Sequence, residues 1–383
     1  MASRHFSVSL MSLLKQMILL GGRHWWLSFL LWIVLVGPAQ AAMELRVAIK
    51  DGVSRVQVGS STNAIVRDSA GQPVGELEAM NAFSAQGGGG NIALGQWRSR
   101  SLWVEPTSDG YVWIGDRWYR GRTQLVPTSK GLTAVNHVNL EHYLYSVLGA
   151  EMSPSWPLEA LKAQAVAARS FALHKRSSGT SVYDVTNTTS SQVYKGIETE
   201  AQSTHQAVNA TAGQVMTYGG KVILAAFHSS SGGHTENVED IWTQPLPYLR
   251  GVADYDMGAP VFQWTKSFSR SEMSRLISGV GNVVSMTPER RTPQGRVVTM
   301  KVQGDRGTKR VSGNDLRSAL GLRSTLFAVS STGSGFQIDG RGYGHGLGLS
   351  QWGAHNLAAQ GTNYQQILGH YYQSATLAQL QAQ

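Results

Sequence analysis

The sequence has 383 residues, 42% hydrophobic and 15% charged, with a formal net charge of +9 and no cysteine. The length suits two or three packed units, and the low charged fraction excludes a charge-rich disordered chain. The absence of cysteine excludes a disulfide framework, a thiolate metal site and a thiol nucleophile.

Residues 1–42 carry Arg4, Lys15 and Arg23 and no acid. An apolar run from Trp25 to Val36 leads into Pro38 and Ala39-Gln40-Ala41. A basic segment, a short apolar segment and an A-x-A pattern predict a signal peptide over 1–41, cleaved after Ala41. The run is shorter than the roughly 20 residues of a membrane span, although apolar Phe6–Leu20 could lengthen it into an uncleaved anchor. Either way the body is exported, periplasmic or wall-associated, and meets a membrane only through this segment. Losing the three basic residues lowers the net charge from +9 to +6. The remaining excess forms no basic–aromatic stripe, so nucleic acid is not an expected partner. It is compatible with anionic wall polymers.

Residues 42–130 read as a β-rich region. Leu45–Ile49, Val56–Val58, Ala64–Val66 and Tyr111–Ile114 are short alternating or β-branched runs, punctuated by Asp51-Gly52, Ala70-Gly71 and Asp109-Gly110. Helical signals begin at Asn139, a candidate cap for Leu140–Leu148, with Gly149 placed to end that helix. A second helix is expected from Trp156 to Arg176 with Ser155 as its cap; its many alanines imply a close neighbour. A third is expected over Thr199–Ala212. Gln214–Tyr218 and Lys221–His228 read as two strands joined by Gly219-Gly220. Residues 264–330 read as a smaller α/β portion, with helices near Ser271–Ile277 and Asn314–Leu320 and strands near Val283–Met286 and Val297–Val302. Two helices follow, Ser350–Gln360 and one carrying Tyr364, Ile367, Leu368 and Tyr371. The expected fold class is α+β: a mixed core of antiparallel strands flanked by helices over 131–378, preceded by the β-rich region, with a tail over 379–383.

Four segments could carry chemistry. Glu151 sits between two expected helices, flanked by Met152 and Trp156. A helix C-terminus and partial burial would raise its pKa and suit a general acid, whereas the next helix N-terminus would act the other way. From the residues alone, a catalytic and a capping glutamate both remain open. His228-Ser229-Ser230-Ser231-Gly232-Gly233-His234 presents hydroxyls and histidines on a turn, without the spacing of a zinc helix. Gly342-Tyr343-Gly344-His345-Gly346-Leu347-Gly348 superficially matches a nucleotide-binding glycine loop, but no βαβ unit surrounds it. It reads better as close backbone packing that holds His345 and Gln351 at a helix entrance. Gln192-Val193-Tyr194-Lys195-Gly196 offers an amide and an aromatic ring suited to sugar contact, or an ordinary strand end.

Together these segments resemble one family. Leu140-Glu141-His142-Tyr143-Leu144, Gly149-Ala150-Glu151-Met152 and the alanine-rich string from Trp156 to Ser170 closely resemble the core of the SpoIID/LytB family, named for the stage II sporulation protein D and the amidase enhancer. The resemblance continues through Gln192–Gly196, Ser229–Thr235, Gly342–Ala354 and Ile367–Tyr372, covering about residues 110–378. It implies an exported lytic transglycosylase that cleaves the MurNAc–GlcNAc bond of peptidoglycan strands stripped of stem peptides. The family's essential carboxylate lies in a Glu-Met-Pro motif and maps onto Glu151, with Ser153 in place of the proline and Pro154 one position on. The resemblance also implies Gln192, Tyr194, His228, Ser229, Ser230, His345 and Gln351 as residues lining the sugar cleft. Some family members bind zinc through cysteines; this chain has none, so no metal and no cofactor is expected. The expected partners are peptidoglycan glycan strands and a cell-wall amidase. Two other readings are a non-catalytic enhancer of an N-acetylmuramoyl-L-alanine amidase and a histidine-metal hydrolase using His228, His234 and His345.

Overall fold

The structure, a computed structural model, describes residues 43–242 and 244–380. The expected signal peptide over 1–41 and the end of the 379–383 tail lie outside the described residues. The alternating runs of the first hundred described residues build two sheets. One has seven strands in the order Val185–Thr186, Glu44–Val53, Gly131–Asn139, Arg122–Thr128, Leu102–Pro106, Ala64–Arg67 and Pro73–Leu77. The other has six, Arg117–Tyr119, Val112–Ile114, Arg55–Ser60, Ala82–Gly88, Asn91–Leu94 and Trp97–Ser99. The pairings are antiparallel except at Val185–Thr186, which joins its neighbour in parallel. The point 130/131, where the sequence divides scaffold from core, is the turn of the hairpin Arg122–Thr128/Gly131–Asn139. Both sides share one hydrophobic cluster, which runs from Leu45 through Leu125 to Leu148 and Tyr372.

Helix α1 (Leu140–Glu151) starts as expected: Asn139 Oδ1 accepts hydrogen bonds from the Glu141 and His142 N–H groups, at 2.8 and 3.3 Å. It does not end at Gly149. That glycine is helical, and a Cβ there would stand 1.8 Å from the carbonyl oxygen of Thr199, so its role is to let the 3₁₀ turn Gly196–Thr199 pack against the helix. The consequence is two further residues of helix, with Glu151 as the last.

Helix α2 (Leu158–Arg176) is the axis of the core. Ala160, Ala163, Ala165, Ala167, Ala168 and Ala172 are all buried, and α1, α3 (Gln202–Ala210), two later helices and strand Gln214–Tyr218 pack around it. Entry is through Pro157, with no side-chain cap from Ser155. Fully buried Arg169 donates to both carboxylate oxygens of Glu141 at 2.8 and 2.6 Å, and to the Gln214 carbonyl at 3.0 Å.

The expected strand Lys221–His228 is broken. Lys221–Val222 closes the Gly219-Gly220 hairpin on Gln214–Tyr218, whereas Phe227–His228 leaves to pair in parallel with Leu349–Ser350. That crossing brings the histidine turn beside the glycine-rich loop. Helix α4 (Val238–Ile241) follows the turn.

Residues Gln263–Arg341 form a lobe with its own hydrophobic cluster, including Trp264, Met273, Val297, Leu316 and Phe336. It contains two three-stranded sheets, helix α5 (Arg270–Leu276) and helix α6 (Gly313–Ala319). Two of its strands, Gln263–Ser269 and Gly335–Arg341, extend beyond the expected 264–330 portion and pair with each other. Helices α7 (Gln351–Ala359) and α8 (Tyr364–Tyr371) complete the core, and strand Thr376–Gln379 adds to Gln214–Tyr218. The class is α+β. No helix among the described residues is long and apolar enough to cross a membrane.

Candidate active site

Glu151 is half-buried at the C-terminal end of α1. Its Oε1 accepts a hydrogen bond from the Val193 N–H at 2.9 Å. Burial raises its pKa above the ordinary glutamate value, opposed by the Val193 N–H and more weakly by the adjacent Gln351 amide. Gln351 Nε2 nonetheless makes no hydrogen bond of ordinary geometry. The sign that the sequence leaves open is thus upward.

The Glu151 end of α1, the turn after Phe227–His228 and the loop 342–348 converge on one cleft of about 830 Å³. The turn is fixed by two carboxylates. Ser230 Oγ and the Gly232 N–H both donate to Asp256 Oδ2, at 2.5 and 2.8 Å, and Ser231 Oγ donates to Asp254 Oδ2 at 2.6 Å. Tyr371 holds Asp254 from the other side at 2.6 Å. The Ser230 and Tyr343 backbones bridge directly, which ties the turn to the loop.

Two neutral imidazoles line the cleft. His228 Nδ1 lies 3.1 Å from the Leu347 carbonyl, which can only accept, so Nδ1 carries the proton. Its buried Nε2 is an acceptor without a protein partner. His345 is the opposite tautomer, because its Nδ1 accepts the Leu347 N–H at 3.0 Å. Burial, with the nearby Arg296 guanidinium, pushes His345 down to about 4, and burial with the His345 neighbour holds His228 well below the usual imidazole range. Arg296 belongs to the lobe. It is fully buried, donates to the Ser231 carbonyl at 2.6 Å and lies 3.5 Å from Glu236.

Of the residues implied for this cleft, Glu151, His228, Ser229, His345 and Gln351 line it. Gln192, Tyr194 and Ser230 do not. Gln192 is 0% exposed, accepting from Tyr143 OH at 3.2 Å and donating to the Ala168 carbonyl at 3.2 Å. Tyr194 stacks between Tyr119 and Tyr143 and donates its hydroxyl to Asn136 at 2.9 Å. The physical reason is the alternation of an extended chain: Gln192 and Tyr194 both turn into the core, leaving the Val193 backbone to meet Glu151. Ser230 is spent on Asp256.

Lining residues that the sequence does not single out include Lys175, Ser190, Trp242, Tyr343 and Arg317. Tyr343 lay inside the glycine string and could have been chosen. Trp242 and Tyr343 are 39% and 45% exposed, so two aromatic faces are free to stack on a flat ligand. Arg317 had no sequence signal, since it reaches the cleft from α6, in the lobe with its own hydrophobic cluster.

Glu151 is the one acidic side chain among the described residues that line the cleft. Among the described residues no three His, Cys, Asp or Glu side chains are grouped to hold a metal ion. The arrangement suits proton transfer by one carboxyl to a hydroxyl-rich ligand laid against aromatic rings.

Known proteins match this chain in the same region. The model of the stage II sporulation protein family, SpoIID, matches residues 128–218, which hold α1, α2 and the Glu151–Val193 pair. A domain of unknown function, DUF8618, matches residues 253–348. An uncharacterized protein of Brachyspira hyodysenteriae is 36% identical over 284 residues, 70% of this chain and 74% of the relative. Stage II sporulation protein D of Bacillus subtilis is 34% identical over 270 residues, 65% of this chain and 77% of the relative. The amidase enhancer of Bacillus subtilis is 32% identical over 289 residues, 61% of this chain and 40% of the relative.

Proposed function

The chain belongs to the SpoIID family, and from that premise we propose that it is an exported lytic transglycosylase, cleaving the MurNAc–GlcNAc bond of peptidoglycan strands to leave 1,6-anhydro ends. The observation that carries this reading is the single, half-buried carboxyl of Glu151 in a cleft lined by aromatic and hydroxyl groups. Ordinary glycosidases work with two carboxyls, the second activating water or attacking the sugar. One carboxyl is enough when the nucleophile is the sugar's own 6-hydroxyl, whose attachment gives it a high effective concentration.

Protonated Glu151 gives its proton to the glycosidic oxygen as the bond from C1 to that oxygen breaks. The N-acetyl group stabilises the oxocarbenium-like centre. The 6-hydroxyl oxygen then bonds to C1, and the carboxylate takes its proton, returning Glu151 to its starting state. The raised pKa keeps the carboxyl protonated to a higher pH than an exposed glutamate would allow. The Val193 N–H holds Oε1, so Oε2 is the oxygen available to carry the proton. Trp242 and Tyr343 supply stacking faces, and Ser229 and the neutral His228 and His345 supply hydrogen bonds to sugar hydroxyls.

The test is incubation with peptide-free glycan strands and mass analysis of the products, wild type against Glu151→Gln. A second reading, favoured by the relative named amidase enhancer, is a non-catalytic module that binds strands and stimulates a cell-wall amidase. It expects sugar binding without new anhydro ends, and full stimulation by Glu151→Gln.

A further inference from the structure

We propose that Arg317 and Lys175 form an anion subsite in the cleft, and that the group it takes is the lactyl carboxylate carried by MurNAc. The inference rests on the lytic-transglycosylase reading of this cleft. Several other arginines are each paired with a carboxylate: Arg46 with Asp184, Arg67 with Glu105, Arg120 with Glu200, Arg169 with Glu141, Arg310 with Glu289. Arg317 is different. It is half-buried, lines the cleft, and its guanidinium has neither a hydrogen bond nor an ion pair among the described residues. Burial holds its pKa below the usual arginine value, so the charge is partly stripped of water and uncompensated.

Lys175, in the last turn of α2, is half-buried and also lacks a carboxylate partner among the described residues. Its ammonium lies 5.6 Å from the Phe171 ring. Neither cation contributes to the pKa of Glu151, which is shifted by burial, Val193 and Gln351 alone. His228, His345 and Tyr343 line the cleft with Arg317, and the buried Arg296 guanidinium adds a second positive charge near it. An incoming carboxylate thus meets two cations without carboxylate partners in a cleft whose one acidic side chain among the described residues is Glu151. On a MurNAc–GlcNAc strand, the carboxylate borne by the sugar itself is the lactyl group, which is free when the stem peptide is absent and amidated when it is present. The guanidinium geometry suits a bidentate carboxylate contact. The lobe over Gln263–Arg341 thereby supplies a specificity residue to a cleft whose proton donor comes from the core.

The experiment measures binding by calorimetry on the full chain carrying Glu151→Gln, so that turnover cannot deplete the ligand. Three oligosaccharides of equal length serve as probes: peptide-free GlcNAc–MurNAc, the same compound with its lactyl carboxylates capped as methylamides, and a chitin oligomer without lactyl groups. The expected result is that the free-carboxylate probe binds about tenfold more tightly than the other two. Adding Arg317→Gln removes that advantage, Arg317→Lys restores part of it, and Lys175→Gln reduces it; none of them changes chitin-oligomer affinity. Equal affinity for the three probes, or an Arg317→Gln loss shared equally by all of them, overturns the subsite. Turnover by the otherwise wild-type chain is scored separately. Anhydro products without carboxylate discrimination defeat the subsite alone, and discrimination without products defeats the enzymatic reading alone.

Discussion

Glu151 and Val193 are joined across 42 residues of sequence by one hydrogen bond, from the Val193 N–H to Glu151 Oε1 at 2.9 Å. The bond fixes the carboxyl at the end of α1 and commits one oxygen, while burial raises the pKa of the group. Position is set by backbone, since the donor is a main-chain N–H and Glu151 ends a helix that continues past Gly149.

The raised pKa gives a signed pH dependence. A general acid must start protonated, so kcat/KM is expected to fall as pH rises through a pKa above the ordinary glutamate value. The same shift affects stability. A group whose folded pKa is raised stabilises the fold fully below its unfolded pKa, and that contribution is lost as pH rises through the folded value. Glu151→Gln is therefore expected to raise Tm at pH 7 relative to wild type. The gap should close below the ordinary glutamate pKa. Thermal unfolding at both pH values checks this, and a lower Tm for the variant at pH 7 contradicts it.

Gly149→Ala tests how the carboxyl is placed. The new Cβ would meet the Thr199 carbonyl at 1.8 Å, so either α1 or the 3₁₀ turn must move. The gain in helix propensity, about 1 kcal/mol, is expected to be outweighed by overpacking of about 1–3 kcal/mol. Glu151 lies two residues on, and a shift on the order of 1 Å is expected to lower kcat about 100-fold. Denaturant unfolding and steady-state kinetics read the two effects separately.

Arg296 ties the lobe to the cleft. Replacing it with leucine leaves Glu236 buried without its cation and is expected to cost about 3–5 kcal/mol. Its charge also helps hold His345 down at about 4. In the double variant Arg296→Met with Glu236→Gln, which removes both charges, part of the stability should return and the His345 titration should move upward. Chemical unfolding and a histidine titration by NMR measure the two outcomes.

Trp242 is expected to act as a stacking face. Covering roughly 50 Å² of its ring contributes about 1 kcal/mol, so Trp242→Ala should raise KM about fivefold and leave kcat nearly unchanged. A fall in kcat at constant KM would assign it another role.

Much of this site was legible in the sequence, for reasons that particular residues make clear. Asn139 announced the start of α1 because a cap is local chemistry, and the alanines of α2 announced close neighbours because small side chains have few other uses in a core helix. Glu151 and the two glycine-bearing turns could be singled out because the residues that carry the family resemblance lie together along the chain. Gln192 and Tyr194 misled because their polar atoms suit sugars equally well, and only the fold reveals that Tyr143, Ala168 and Asn136 already use them. Gly149 misled because close packing and a helix stop both call for glycine. Arg317 was invisible, since nothing in the sequence of the lobe says which of its cations faces the core.

The central claim is that Glu151 moves the proton in glycan cleavage. Peptide-free strands should be incubated with purified wild type and with Glu151→Gln, and the products resolved by mass spectrometry. The account predicts 1,6-anhydro ends from wild type and a loss of at least about 100-fold in the variant, the range expected for a lost general acid. Anhydro ends formed equally by both proteins, or by neither, would contradict it.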